Sequence, residues 1–185
     1  MIKKNTWTGA LFMIMSAVSF AAAHAGVREL SPDIHPFATA FYRNIFGFFL
    51  LLPWLIRDNF NALRTNCFKM HVLRGGLNSG FMLGFFFALS LIPIAEATAL
   101  NFTAPLFATL LAVVILKEQV GWRRWAAIIV GFSGTLVILQ PGAEVISVGA
   151  FLVFFASLSW AGSTIALKKL SSTESSLTST TYLVI

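Results

Sequence analysis

Two stretches decide how this chain is read: residues 9–30, GALFMIMSAVSFAAAHAGVREL, and residues 149–170, GAFLVFFASLSWAGSTIALKKL. They align without a gap 140 positions apart, with Gly, Ala, Ser, Ala and Leu identical at 9/149, 10/150, 19/159, 21/161 and 30/170. Most other pairs exchange one small or apolar residue for another; Phe20 stands against Trp160 and Arg28 against Lys168. Each copy has roughly the 20 apolar residues that cross the hydrocarbon core of a bilayer as a helix.

Composition supports the bilayer as solvent. The 185 residues are 57% hydrophobic and 11% charged, with mean hydropathy +0.82, whereas a soluble domain is about a quarter charged. The 19 Phe and 5 Trp suit lipid and its interfaces. A net charge of +6 would also fit a nucleic-acid binder. Here the cations lie between apolar spans, as cytoplasmic loops require, so no nucleic-acid partner is expected. Cys67 has no second cysteine to pair with, and His24, His35 and His71 are far apart, so no metal site and no cofactor are expected. The start also resembles a signal peptide, with Lys3 and Lys4, an apolar run and Ala23-His24-Ala25. Its internal copy at 149–170 cannot be one, which favours a first spanning helix.

Six complete spans are expected at 7–27, 36–56, 72–91, 95–116, 122–140 and 146–167, with a seventh opening near 178. Breakers separate them: Ser31-Pro32-Asp33, Pro36, Pro93 and Pro141-Gly142. With a cytoplasmic N-terminus, the inner segments hold Lys3, Lys4, Arg57, Arg64, Lys69, Arg74, Lys117, Arg123, Arg124, Lys168 and Lys169, eleven of the thirteen Lys and Arg. Arg28 alone falls outside and Arg43 lies within span two, so this orientation satisfies the positive-inside rule. Five spans separate the starts of the two copies. An odd number makes them cross in opposite directions, which is the inverted repeat of secondary transporters. The fold class expected is an all-α polytopic membrane protein: a first five-helix unit over 7–140 and the beginning of a second, inverted unit over 146–185. By symmetry about four further spans would complete the second unit, so the chain reads as truncated or partial.

Residues 88–139, ALSLIPIAEATALNFTAPLFATLLAVVILKEQVGWRRWAAIIVGFSGTLVIL, carry Ala88-Leu89, Pro93, Ala95, Pro105-Leu106, Glu118, Gly131 and Gly134 in sequence. In that order and spacing, with Arg43 and Trp160, the chain resembles the EamA family of the drug/metabolite transporter superfamily. The resemblance implies ten spans in two inverted five-helix units, cytoplasmic termini, and a cavity lined by helices one, three and four of each half. It also implies solutes such as amino acids, metabolites, vitamins or drugs, and a bacterial inner membrane. Small multidrug relatives carry a membrane-embedded glutamate in their first helix. Span one here offers only His24, so the coupling ion is left unassigned.

The candidate site residues follow from polar or small groups inside apolar spans. In span three Gly76, Gly80, Gly84 and Ala88 recur every four residues, a stripe that lets another backbone approach closely. Gly131 and Gly134 read as packing residues too. Asn78 and Ser79 sit beside the stripe. In span four Asn101 precedes Pro105, which removes the hydrogen bond to the carbonyl of Asn101. That point reads either as a ligand contact or as a packing kink with Asn101 bonded to a neighbour. Trp160 among Ser157, Ser159, Ser163 and Thr164 suits an organic solute, though hydroxyls also bond their own i−4 carbonyls. The substrate-cavity candidates are therefore His24, Asn78, Ser79, Asn101, Pro105, Trp160 and Ser163. Arg43, Glu96 and Glu118 read as structural ion-pair or capping groups, Glu118 placed to accept from the amides of Gly121 or Trp122.

The function expected is secondary transport of a small organic solute by alternating access. The alternative is a non-transporting remnant or a partner membrane subunit. No Ser/His/Asp set, His-Glu-x-x-His, paired intramembrane Asp or Gly-Lys-Ser/Thr loop is present, so neither an enzyme nor an ATP-driven pump is expected. The partners expected are the lipid bilayer, an unidentified solute, and a missing C-terminal half or a second subunit.

Overall fold

The computed structural model describes residues 6–30, 32–139 and 147–184. Its α-helices are α1 (Thr6–Leu30), α2 (Pro36–Arg57), α3 (Phe68–Leu91), α4 (Ile94–Asn101), α5 (Thr103–Leu116), α6 (Trp122–Leu139), α7 (Val148–Leu170) and α8 (Ser176–Val184). Five stretches are long and apolar enough to span a membrane: Trp7–Leu30, Pro36–Arg57, Phe68–Leu91, Ile94–Leu116 and Val148–Leu170. The protein is thus an all-α polytopic membrane protein. The 18-residue α6 forms where a fifth span is expected; Pro141-Gly142 and the start of the sixth expected span, 146, fall outside the described residues.

Helix ends follow local chemistry. Pro36 occupies the start of α2, where its missing N–H costs nothing. Ser147 caps α7, its Oγ accepting from the amide of Ala150 at 3.1 Å. The fourth span is two helices because the turn closes at Phe102, one residue after Asn101, whose carbonyl Pro105 cannot serve. Thr103 Oγ1 donates to the neighbouring carbonyl of Leu100 at 2.8 Å and so satisfies part of the break.

The core is the seam between α3 and α7. Met82, Phe85, Phe86, Ala88 and Leu89 are buried there against Ala150, Val153 and Ala156. A Cβ added to Gly80 would lie 3.3 Å from Ser159 Oγ, and one added to Gly84 would lie 3.3 Å from the carbonyl oxygen of Leu152. Helices in lipid gain little from hydrophobic transfer, so this close approach is what holds the pair. The expected stripe is therefore only partly a packing stripe: a Cβ on Gly76, Gly131 or Gly134 meets no atom within 4 Å. Gly76 lies on an exposed part of α3, and Gly131 and Gly134 are exposed on α6. On α7, a Cβ added to Gly149 would lie 2.5 Å from Ile92 Cγ2 and one added to Gly162 would lie 3.1 Å from Leu77 Cδ1, so these glycines too sit at close approaches.

These contacts also give directions. Along α7, Gly149 meets Ile92, Ala156 meets Gly84, and Ser163 meets Arg74, so α7 runs antiparallel to α3. Along α1, His24 meets Phe85, and Arg28 donates to the carbonyls of Leu89 and Ile92, so α1 runs parallel to α3. The two similar stretches therefore cross in opposite directions. Arg28, read in the sequence only as an outer loop charge, satisfies carbonyls at the C-terminus of α3, where a cation also suits the helix dipole.

Candidate substrate cavity

A cavity of about 220 Å³ opens where the broken span meets α7, lined by Thr98, Asn101, Phe102, Ala104, Pro105 and Trp160. Its lining straddles the break between α4 and α5 at Phe102. Asn101 is held by a bond across the gap, its Oδ1 accepting from Ser157 Oγ at 3.0 Å. Ser157 is fully buried. Both readings of Asn101 are thus realised together: it bonds a neighbouring helix and it lines the cavity. Trp160 is 38% exposed and turns its indole to the same space. The arrangement offers an amide and a flat aromatic face, with no ionisable group among the lining residues.

The other candidates lie elsewhere. His24 packs against Phe85 at 4.8 Å and Phe20 at 6.3 Å between ring centroids. Ser79 lines a separate cavity of about 280 Å³ with Asn44, His71 and Tyr182. Asn78 is half-buried on α3 and is not among the residues lining the Asn101 cavity. Ser163 donates to the backbone carbonyl of Arg74 at 3.4 Å, so it joins α7 to α3. Thr164 bonds its own i−4 carbonyl, that of Trp160, at 2.9 Å.

Two of the three charged residues, Glu118 and Arg43, differ from expectation. Glu118 pairs with Lys168 of α7 rather than capping Gly121 or Trp122, because the α5–α6 turn folds against the end of α7. Among the described residues Arg43 makes no ion pair. Glu96 sits half-buried in the first turn of α4, where the helix dipole favours a carboxylate. Arg74 was read only as a loop charge, yet it is buried in α3. Its position within an apolar helix was the one available signal.

Residues 7–140 match the EamA-like transporter family. An S-adenosylmethionine uptake transporter of Rickettsia bellii is 34% identical over 92% of this chain and 59% of its own length. A riboflavin transporter of Vibrio cholerae is 34% identical over 100% of this chain and 63% of its own length. A pseudopaline exporter of Pseudomonas aeruginosa is 27% identical over 89% of this chain and 58% of its own length. The chain thus spans about three fifths of the length of these relatives. No solved structure matches it. With most of its length matched, from α1 through the broken span and α6, the chain belongs to the EamA-like transporter family.

Proposed function

We propose that the chain is part of a secondary transporter that moves a small organic solute bearing a planar ring across the bacterial inner membrane by alternating access. The observation that carries this is the cavity at the helix break, with Trp160 and Asn101 on its wall. Broken helices at a repeat interface are where such transporters hold their solutes. S-adenosylmethionine and riboflavin, named for two of the relatives, both contain flat heteroaromatic rings. At about 220 Å³ the cavity is smaller than the roughly 300 Å³ at which solute pockets begin, so it fits a ring rather than a whole solute.

The remainder of the site is assigned to a second repeat that begins at 146–185, the first occupying 7–140. The repeat supports this. The buried positions of α7 include Gly149, Val153, Ala156, Ser159, Ser163 and Ala166. Their mates 140 positions earlier are Gly9, Met13, Ser16, Ser19, Ala23 and Gly26, all exposed on α1. That small-residue face is covered, in this reading, by helices of a C-terminal half or a second subunit.

The test is uptake by the complete transporter of radiolabelled S-adenosylmethionine and riboflavin, with Trp160→Ala alongside. At least one should accumulate, and Trp160→Ala should weaken its half-saturation about tenfold, equal to ~1.4 kcal/mol. Absence of uptake of both would favour the non-transporting alternative. Orientation is tested separately. The basic loops gather on one face, where Thr65 bonds Glu174 and Lys168 pairs with Glu118. A reporter fused after Asn66 should therefore be active only as a cytoplasmic reporter. Activity of a periplasmic reporter there would reverse the map.

A further inference from the structure

A further polar cavity, of about 230 Å³, lies at the opposite end of the α3–α7 seam from Ile92 and Gly149. Its walls include Arg74, Glu174, Ser176 and Ser179. Arg74 is only 7% exposed. Its Nη1 donates to the carbonyl of Ser179 at 2.6 Å, and its Nε has no partner among the described residues. Glu174 Oε1 accepts from Thr65 Oγ1 at 2.6 Å. No ion pair joins Glu174 to Arg74. Opposite charges thus face one small cavity without meeting. One turn earlier on α3, buried His71 stacks on Tyr182 at 4.5 Å, with both ring nitrogens unpartnered among the described residues.

A guanidinium buried without a counter-charge is costly, and orphaned buried donors call for an explanation. A lone anion here would meet the Glu174 carboxylate; a lone cation would meet Arg74. A molecule carrying both charges a short distance apart satisfies both walls. We propose that this cavity is a head-group subsite for a small zwitterion of the α-amino-acid type. Its carboxylate lies on Arg74 and its ammonium lies on Glu174. The subsite rests on the transport reading: it stands at the basic-loop face, where a solute would enter or leave.

Cys67 reports on occupancy. It is the single cysteine of the chain, and its Sγ lies 3.9 Å from Thr173 Oγ1, next to Glu174. The experiment measures alkylation of Cys67 by N-ethylmaleimide in the full chain in lipid nanodiscs, with glycine as the minimal zwitterion, at tens of millimolar because so small a ligand binds weakly. Glycine should slow alkylation about fivefold, as about 80% occupancy would. Glycinamide, which lacks the carboxylate, and acetate, which lacks the ammonium, should leave the rate unchanged. Arg74→Gln should abolish the effect. So should Glu174→Gln, which sits half-buried in a turn and keeps an acceptor for Thr65. No slowing by glycine, equal slowing by all three probes, or slowing that survives Glu174→Gln would overturn the subsite. Ring-solute uptake is scored apart. Glycine protection without uptake upholds the subsite and counts against the transport reading, whereas uptake without glycine protection does the reverse.

Discussion

Gly84→Leu is expected to prevent stable assembly of the protein in the membrane. A Cβ added at this position would lie 3.3 Å from the Leu152 carbonyl oxygen and 3.4 Å from Ala156 Cβ. The neighbours are backbone and a methyl group, neither of which can rotate away. The leucine side chain would have to push α7 off α3. Overpacking a filled site costs about 1–3 kcal/mol and sometimes more. Against a total stability of roughly 5–15 kcal/mol, a cost near the upper value removes much of the margin. The measurement is the monodisperse fraction in mild detergent after expression, with the thermal midpoint of what remains. Gly80→Leu, facing Ser159 Oγ at 3.3 Å, should act in the same direction. Gly76→Leu is the control, because a Cβ there meets nothing within 4 Å. If Gly76→Leu and Gly84→Leu lose assembly equally, the seam is misassigned.

Asn101→Leu should leave insertion intact and lower transport by the complete protein at least tenfold. Leucine is well tolerated in lipid, and the interhelical bond it removes is worth only about 0.6–2 kcal/mol in a membrane. What is lost is the amide on the cavity wall. Ser157→Ala separates the two roles of Asn101. It removes the same 3.0 Å bond from the other side, and Ser157 does not line the cavity. Transport should fall with Asn101→Leu and persist with Ser157→Ala. Equal losses in both would mean that Asn101 acts through packing alone.

The spans, the helix break and the antiparallel crossing of the similar stretches were legible in the residues themselves. An apolar run of spanning length has to close its own backbone hydrogen bonds, so it forms a helix whatever its neighbours. Pro105 opens the turn at Asn101 for an equally local reason. Loop cations set direction without any contact being known. Of the site, Asn101, Pro105 and Trp160 were legible because a polar group and a break inside an apolar span stand out. Their meeting was not, because Asn101 and Ser157 are 56 positions apart and touch only once α4 and α7 pack. The same holds for the pairs of greatest consequence elsewhere: Arg28 with the end of α3, Arg74 with Ser179, Glu118 with Lys168. Sequence periodicity marks a small-residue stripe but not which part of it another helix covers. Gly80 and Gly84 face α7, whereas a Cβ on Gly76 meets nothing within 4 Å although α7 touches α3 on either side of it, at Arg74 and Leu77. Local chemistry along one helix therefore settled the elements, while which faces meet was decided by packing between helices far apart in the chain.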